Sequence, residues 1–151
     1  MKRLISILII FILTLGFIPV DKAYGETIDY YIDVKLTRPL VQNDYVNLTS
    51  TNGFIIYDKE DKENPLFSIE DTFIKAMPNN GHIDLMDSAN NILYSLPSDG
   101  SLIIGPNNLE EPIITVEKDS YRGYIRLFIN DGELIVINHV YLEDYLYGVV
   151  P

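Results

Sequence analysis

Residues 121–138 read YRGYIRLFINDGELIVIN, and this stretch decides the class of the fold. Asn130-Asp131-Gly132 is a turn signal, because Asp-Gly lets the backbone reach the positive φ values that tight hairpins require. The flanking runs, Tyr121 to Ile129 and Glu133 to Asn138, then read as two antiparallel strands. Ile125, Leu127 and Ile129 face one way and Tyr124 and Phe128 the other, so the hairpin is apolar on both faces. A hairpin of that kind is expected between two layers, with its edges covered.

Toward the amino terminus the same period of two continues. Ile28, Tyr30, Ile32, Val34 and Leu36 alternate with polar neighbours, the pattern of a half-buried strand. Apolar bursts follow at Tyr45–Leu48, Phe54–Tyr57, Leu66–Ile69, Thr72–Met77, His82–Met86, Ile92–Leu96, Leu102–Ile104 and Ile113–Val116. Turn formers separate them: Asn52-Gly53, Asn64-Pro65, Pro78-Asn79-Asn80-Gly81, Asp99-Gly100 and Gly105-Pro106-Asn107-Asn108. No segment between residues 26 and 138 carries a helical period. The expected fold is mainly β, with short antiparallel strands in a two-layer arrangement.

Beyond Asn138 the period changes. Leu142, Tyr145, Leu146 and Val149 fall at i, i+3, i+4 and i+7, which predicts a short amphipathic helix starting near Leu142. Glu143 and Asp144 occupy its first turn, where negative charge suits the helix dipole. The sequence given stops at Val149-Val150-Pro151, so the apolar stripe of this helix is expected to stay uncovered on one side.

At the other end, Lys2 and Arg3 precede an apolar run from Leu4 to Ile18, then Gly16, Pro19 and the small-residue pattern Ala23-Tyr24-Gly25. That is the order of parts in a secretory signal peptide, assigned to residues 1–25. Retention as an uncleaved anchor is the alternative, and would be the chain's one link to a membrane. The chain has no cysteine, which excludes a lipoprotein anchor, a disulfide framework and a thiolate metal site. Its formal charge is −11, and removing residues 1–25 would take away a net +2 and leave a mature chain near −13. A nucleic-acid binder that works by neutralising phosphates needs a basic face and is excluded. Uncharged or weakly charged polymers such as glycans remain open.

Few residues suggest chemistry by type and spacing. His82 and His139 are the only histidines, and both read as surface or strand positions. The run Asp58-Lys59-Glu60-Asp61-Lys62-Glu63 clusters oxygen ligands but lacks the spacing of a calcium loop, and its lysines mark it as a solvated loop. No metal site and no cofactor is expected. The eleven tyrosines suit strands with one face in water, and sugar rings also stack on such side chains. Asn47-Leu48-Thr49 matches a glycosylation sequon.

One resemblance covers residues 121–151. Tyr121-Arg122-Gly123, a hairpin, Leu134-Ile135-Val136-Ile137-Asn138, a short spacer, and Leu142-Glu143-Asp144-Tyr145-Leu146-Tyr147-Gly148-Val149-Val150-Pro151 together resemble the SpoIID/LytB family. This is the family of stage II sporulation protein D and the amidase enhancers. The resemblance divides the chain into residues 26–118, a β-rich amino-terminal region, and residues 119–151, the start of a SpoIID/LytB domain left incomplete. It carries the signature positions Tyr121, Arg122, Gly123, Asn138, Leu142, Glu143, Tyr145, Leu146 and Gly148, read as mainly structural. Tyr145 and Tyr147 are the candidate glycan contacts.

The resemblance implies an exported, wall-facing lytic transglycosylase acting on peptidoglycan glycan strands stripped of stem peptides, in sporulation or engulfment. The muramic acid's own 6-hydroxyl attacks in such cleavage, so one glutamate can serve as acid and then base, where ordinary glycosidases need two carboxylates. In the family that glutamate follows Gly-Val-Val-Pro within a few residues, in a Glu-Met pair. The sequence given ends at Pro151, so no catalytic residue is expected within it, and Glu143 matches a different position. Other wall hydrolases are the implied partners. The alternative is a non-enzymatic, secreted wall-binding or amidase-modulating β module.

Overall fold

The computed structural model describes residues 30–37, 45–58, 61–97, 100–107 and 112–149. The signal-peptide assignment, Ile28 and Pro151 lie outside them.

Among the described residues, twelve strands form two six-stranded sheets. The first runs β1 (Tyr31–Lys35), β12 (Glu133–Tyr141), β11 (Tyr124–Asn130), β8 (Ser101–Pro106), β3 (Phe54–Asp58), β4 (Asp61–Ile69). The second runs β10 (Asp119–Arg122), β9 (Ile113–Val116), β2 (Val46–Thr49), β5 (Phe73–Asn79), β6 (His82–Met86), β7 (Ile92–Leu96). The pairings between these neighbours are antiparallel. A helix, α1 (Leu142–Val149), follows β12 directly. The chain is mainly β in two layers, as the period of two implies.

A single core lies between the sheets. Phe54, Ile56, Leu102, Ile104, Ile125, Leu127 and Val136 come from the first sheet; Val46, Leu48, Ile74, Ile83, Leu85 and Ile114 come from the second. Each such aliphatic side chain taken from water contributes ~1.5–3 kcal/mol before conformational entropy is subtracted. The β11–β12 hairpin sits inside the first sheet, flanked by β8 and β1, so neither of its edges is bare. It is not covered on both faces as expected, because only the Ile125 and Leu127 face meets the other sheet while Tyr124 and Arg126 lie on the outside of the sandwich. Asn130 pairs with Glu133 across a two-residue turn in which Asp131 (φ 52°) and Gly132 (φ 84°) both take positive φ. The division at residue 118 falls in the turn between β9 and β10, two strands paired with each other.

The run from Tyr121 to Ile129 differs from the single strand expected. Arg122 ends β10, opposite Ile113 in the second sheet, while Tyr124 opens β11, opposite His139 in the first. Between them Gly123 takes φ +83°, and the chain crosses from one layer to the other there. The acidic run also differs from a simple loop, because Asp58 pairs with Asp61 at the tip of the β3–β4 hairpin and Asp61–Glu63 belong to β4.

On the outer face of the second sheet, Asp84 is 3% exposed. Ser95 Oγ donates to it at 2.5 Å and Asn79 Nδ2 at 2.9 Å. The Ser95 bond first, then the Asn79 bond, hold its carboxyl below the usual range; burial opposes them, and His82, when charged, adds to the lowering. A pKa below the unfolded value of about 3.9 means stability present above that pH and lost as pH falls through the folded value. Asp84→Asn is expected to cost about 1 kcal/mol at pH 7. That deficit should begin to shrink in urea titrations below about pH 4, where the unfolded carboxyl takes up its proton, and close as pH falls through the lower folded value.

Candidate functional site: a groove beneath the helix

Both sheets end on the same side of the sandwich, with β1 the edge of the first and β10 the edge of the second. The chain leaves β12 there and winds into α1, whose first amide, on Leu142, donates to the Tyr30 carbonyl at 2.8 Å. A hollow of about 380 Å³ opens between these parts. Val34, Leu36 and Val140 form its apolar floor; Tyr121 and Arg122 one side; Tyr145, Tyr147 and Gly148 the other. Ser120, Asn138 and Asp144 supply further polar lining.

Five of the nine signature positions, Tyr121, Arg122, Asn138, Tyr145 and Gly148, line this hollow, for reasons visible in the backbone. Gly123 is required by its φ and by space, since a Cβ there would lie 2.7 Å from the His139 carbonyl oxygen and 3.1 Å from Val140 Cα. The Gly123 amide donates to the Pro112 carbonyl at 3.1 Å. Asn138, 6% exposed, spans the crossover: its Nδ2 donates to the carbonyls of Arg122 (2.8 Å) and Tyr124 (3.2 Å), the residues on either side of Gly123. One buried amide therefore binds the two carbonyls that flank the strand switch. Arg122 Nη1 reaches Asp144 Oδ1 at 3.3 Å and links β10 to the first turn of α1.

The remaining expected positions are spread around the helix. Leu142 and Tyr145 are half-buried, whereas Leu146 is 47% and Tyr147 88% exposed. The uncovered side of the apolar stripe is thus narrower than its sequence implies, because Leu142 and Tyr145 turn toward the sandwich. Glu143 is exposed and stands outside the groove lining. Asp144, which the sequence reading used only for the helix dipole, is the groove's carboxylate, and it is paired with Arg122. The described lining offers three tyrosine rings, the Ser120 hydroxyl, the Asn138 amide and the Arg122–Asp144 ion pair.

A second cluster escaped the sequence reading. On the outer face of the first sheet Asp33 takes His139 Nδ1 at 2.6 Å on one oxygen and Arg126 Nη1 at 3.0 Å on the other. Arg126 Nε also donates to Ser101 Oγ at 3.2 Å. The Tyr31 ring stacks on the His139 imidazole, with centroids 4.8 Å apart and planes within 4°. Tyr124 and Tyr57 continue the row edge to face at 5.9 Å. Burial, then the neighbouring Tyr124, push the Tyr57 hydroxyl above its ordinary pKa. These contacts tie the edge strand β1 to β12 and β11. Asp33 and His139 are 106 positions apart and meet through the β1–β12 register, so no local signal could have found them. His82, by contrast, stands exposed at the start of β6.

Among the described residues, no group of three or more histidines and carboxylates stands close enough to hold a metal ion. Comparison of the chain with family models, with curated proteins and with solved structures finds no significant match.

Proposed function

We propose that this chain is an exported, wall-facing protein of the SpoIID/LytB type whose groove beneath α1 holds peptidoglycan glycan strands. The observation that supports the reading is the convergence of Tyr121, Arg122, Asn138, Tyr145, Tyr147 and Gly148 on one hollow of about 380 Å³. They come from three separate stretches of sequence, and the resemblance rests on the same stretches. An apolar floor flanked by tyrosines suits a sugar ring, which offers C–H faces to aromatic rings and hydroxyls to the polar groups around them.

The groove's carboxylate, Asp144, is held by Arg122, and Glu143 points elsewhere. Protonating a glycosidic oxygen needs a carboxyl group free to give up its proton within hydrogen-bond reach. In this reading the groove holds the strand, and the acid that cleaves it is the glutamate implied by the resemblance rather than Asp144 or Glu143.

The exported chain should sediment with insoluble peptidoglycan from which an amidase has removed the stem peptides. Tyr147→Ala should weaken retention about five- to tenfold, the loss of one ring contact, while leaving stability within about 0.5 kcal/mol because the side chain is almost fully exposed. Mass spectrometry of the supernatant should show no anhydromuropeptides. Absence of retention would defeat the binding claim, and anhydro products would defeat the division of labour.

A further inference from the structure

A second hollow, of about 440 Å³, opens on the outer face of the second sheet. Strand register builds it: Thr49 on β2 lies opposite Phe73 on β5 and opposite Thr115 on β9. Thr115 in turn lies opposite Ser120 on β10, with their hydroxyls 3.0 Å apart. Ser120, Thr115, Thr49 and Phe73 thus form one row across four strands, about 14 Å long at normal strand spacing. Ser50, Thr51 and Thr72 add three more hydroxyls around its end.

Two features of the hollow point to a ligand. Among the described residues its lining contains no charged side chain. Ser50 is also only 8% exposed, and although its amide donates to the Thr72 carbonyl at 3.0 Å, its Oγ has no hydrogen-bond partner. Native proteins rarely keep a buried hydroxyl unpaired, and each exception calls for an explanation.

We infer that this hollow is a binding subsite for an uncharged, polyhydroxylated ring, a sugar residue of a glycan. An ion would lose its water with no countercharge in return, and a purely apolar ligand would strand five hydroxyls. A sugar ring matches both sides of the lining. Its C–H face packs on Phe73, its hydroxyls exchange hydrogen bonds with Thr49 and Thr115, and the Ser50 hydroxyl, turning about χ1, gains the partner it lacks. The hollow also adjoins the groove beneath α1, because Ser120 lines the groove and is bonded to Thr115 in the hollow. A glycan strand can follow this hydroxyl pair from one to the other. Only that continuity rests on the proposed function; the sugar subsite stands without it.

Calorimetric titration of the exported chain with tetra-N-acetylchitotetraose, a soluble uncharged glycan, tests the inference, with chemical shifts of the Phe73 ring as a second readout. Ser50→Ala should raise Tm by about 2–4 °C, because it removes an unpaired buried hydroxyl. The same change should weaken binding about fivefold, the loss of one neutral hydrogen bond, and Thr115→Val should weaken it similarly. Opposite movement of stability and affinity is a signature that a purely structural serine would not give. Unchanged affinity in both variants, an unmoved Phe73 ring, or no saturable binding would overturn the subsite. If Tyr147→Ala alone weakens binding, the groove reading stands and the subsite falls; if only the hollow variants do, the subsite stands and the groove reading falls.

Discussion

Gly123→Ala is expected to destabilise the sandwich by about 4 kcal/mol, enough to unfold a domain of ordinary stability in mild denaturant. Two costs combine. A non-glycine residue at φ +83° is strained. The new Cβ would also lie 2.7 Å from the His139 carbonyl oxygen, a backbone atom fixed by the pairing of β12 with β1 and β11. Gly132→Ala is the control. Its φ of +84° is nearly the same, but nothing lies within 4 Å of the added carbon, so only the conformational cost of about 1 kcal/mol remains. Urea midpoints of the two variants separate strain from collision. Equal losses at both positions would mean that the crossover has room to move.

Asn138→Ala is expected to cost about 3 kcal/mol. The change deletes two hydrogen bonds and leaves the carbonyls of Arg122 and Tyr124 without the amide that holds them, beside a new void. Asn138→Asp, nearly identical in shape, should be at least as damaging, since a carboxylate would face two carbonyl oxygens with no proton to give. Because Asn138 and Gly123 serve one crossover, the double variant Gly123→Ala/Asn138→Ala should fall short of the summed losses by about 1 kcal/mol or more. Strict additivity would show that the two residues act independently. Glycan retention should fall with Asn138→Ala even where the chain remains folded, because Asn138 lines the groove and sets the path of β10 along its side.

These two positions also show how far local reading reaches. The Asp131-Gly132 turn, the strands at His82–Met86, Ile92–Leu96 and Ile113–Val116, and the start of α1 at Leu142 were all legible, because turn chemistry and side-chain period act within a few residues. Gly123 is visible as a glycine inside an apolar run, but its neighbours in sequence carry the period of a continuous strand. Its role depends on which sheet each half of the run joins, and nothing near it in sequence states that. Asn138 was legible as part of a signature, while its action on the two carbonyls flanking Gly123 was not.

By itself the sequence determined the class of fold, the hairpin turn at Asp131-Gly132, the helix that follows that hairpin, and the absence of any thiolate. Period, turn residues and composition are local or summed quantities, so they survive without coordinates. Only the tertiary structure decided that one run divides between two sheets, that Asp33, Arg126 and His139 share a face, that Asp144 is bound by Arg122, and that Thr49, Thr115 and Ser50 meet around one hollow. Each of these depends on strand register between distant segments. Register is set by the burial of whole sheets against each other, and no single stretch of chain carries it.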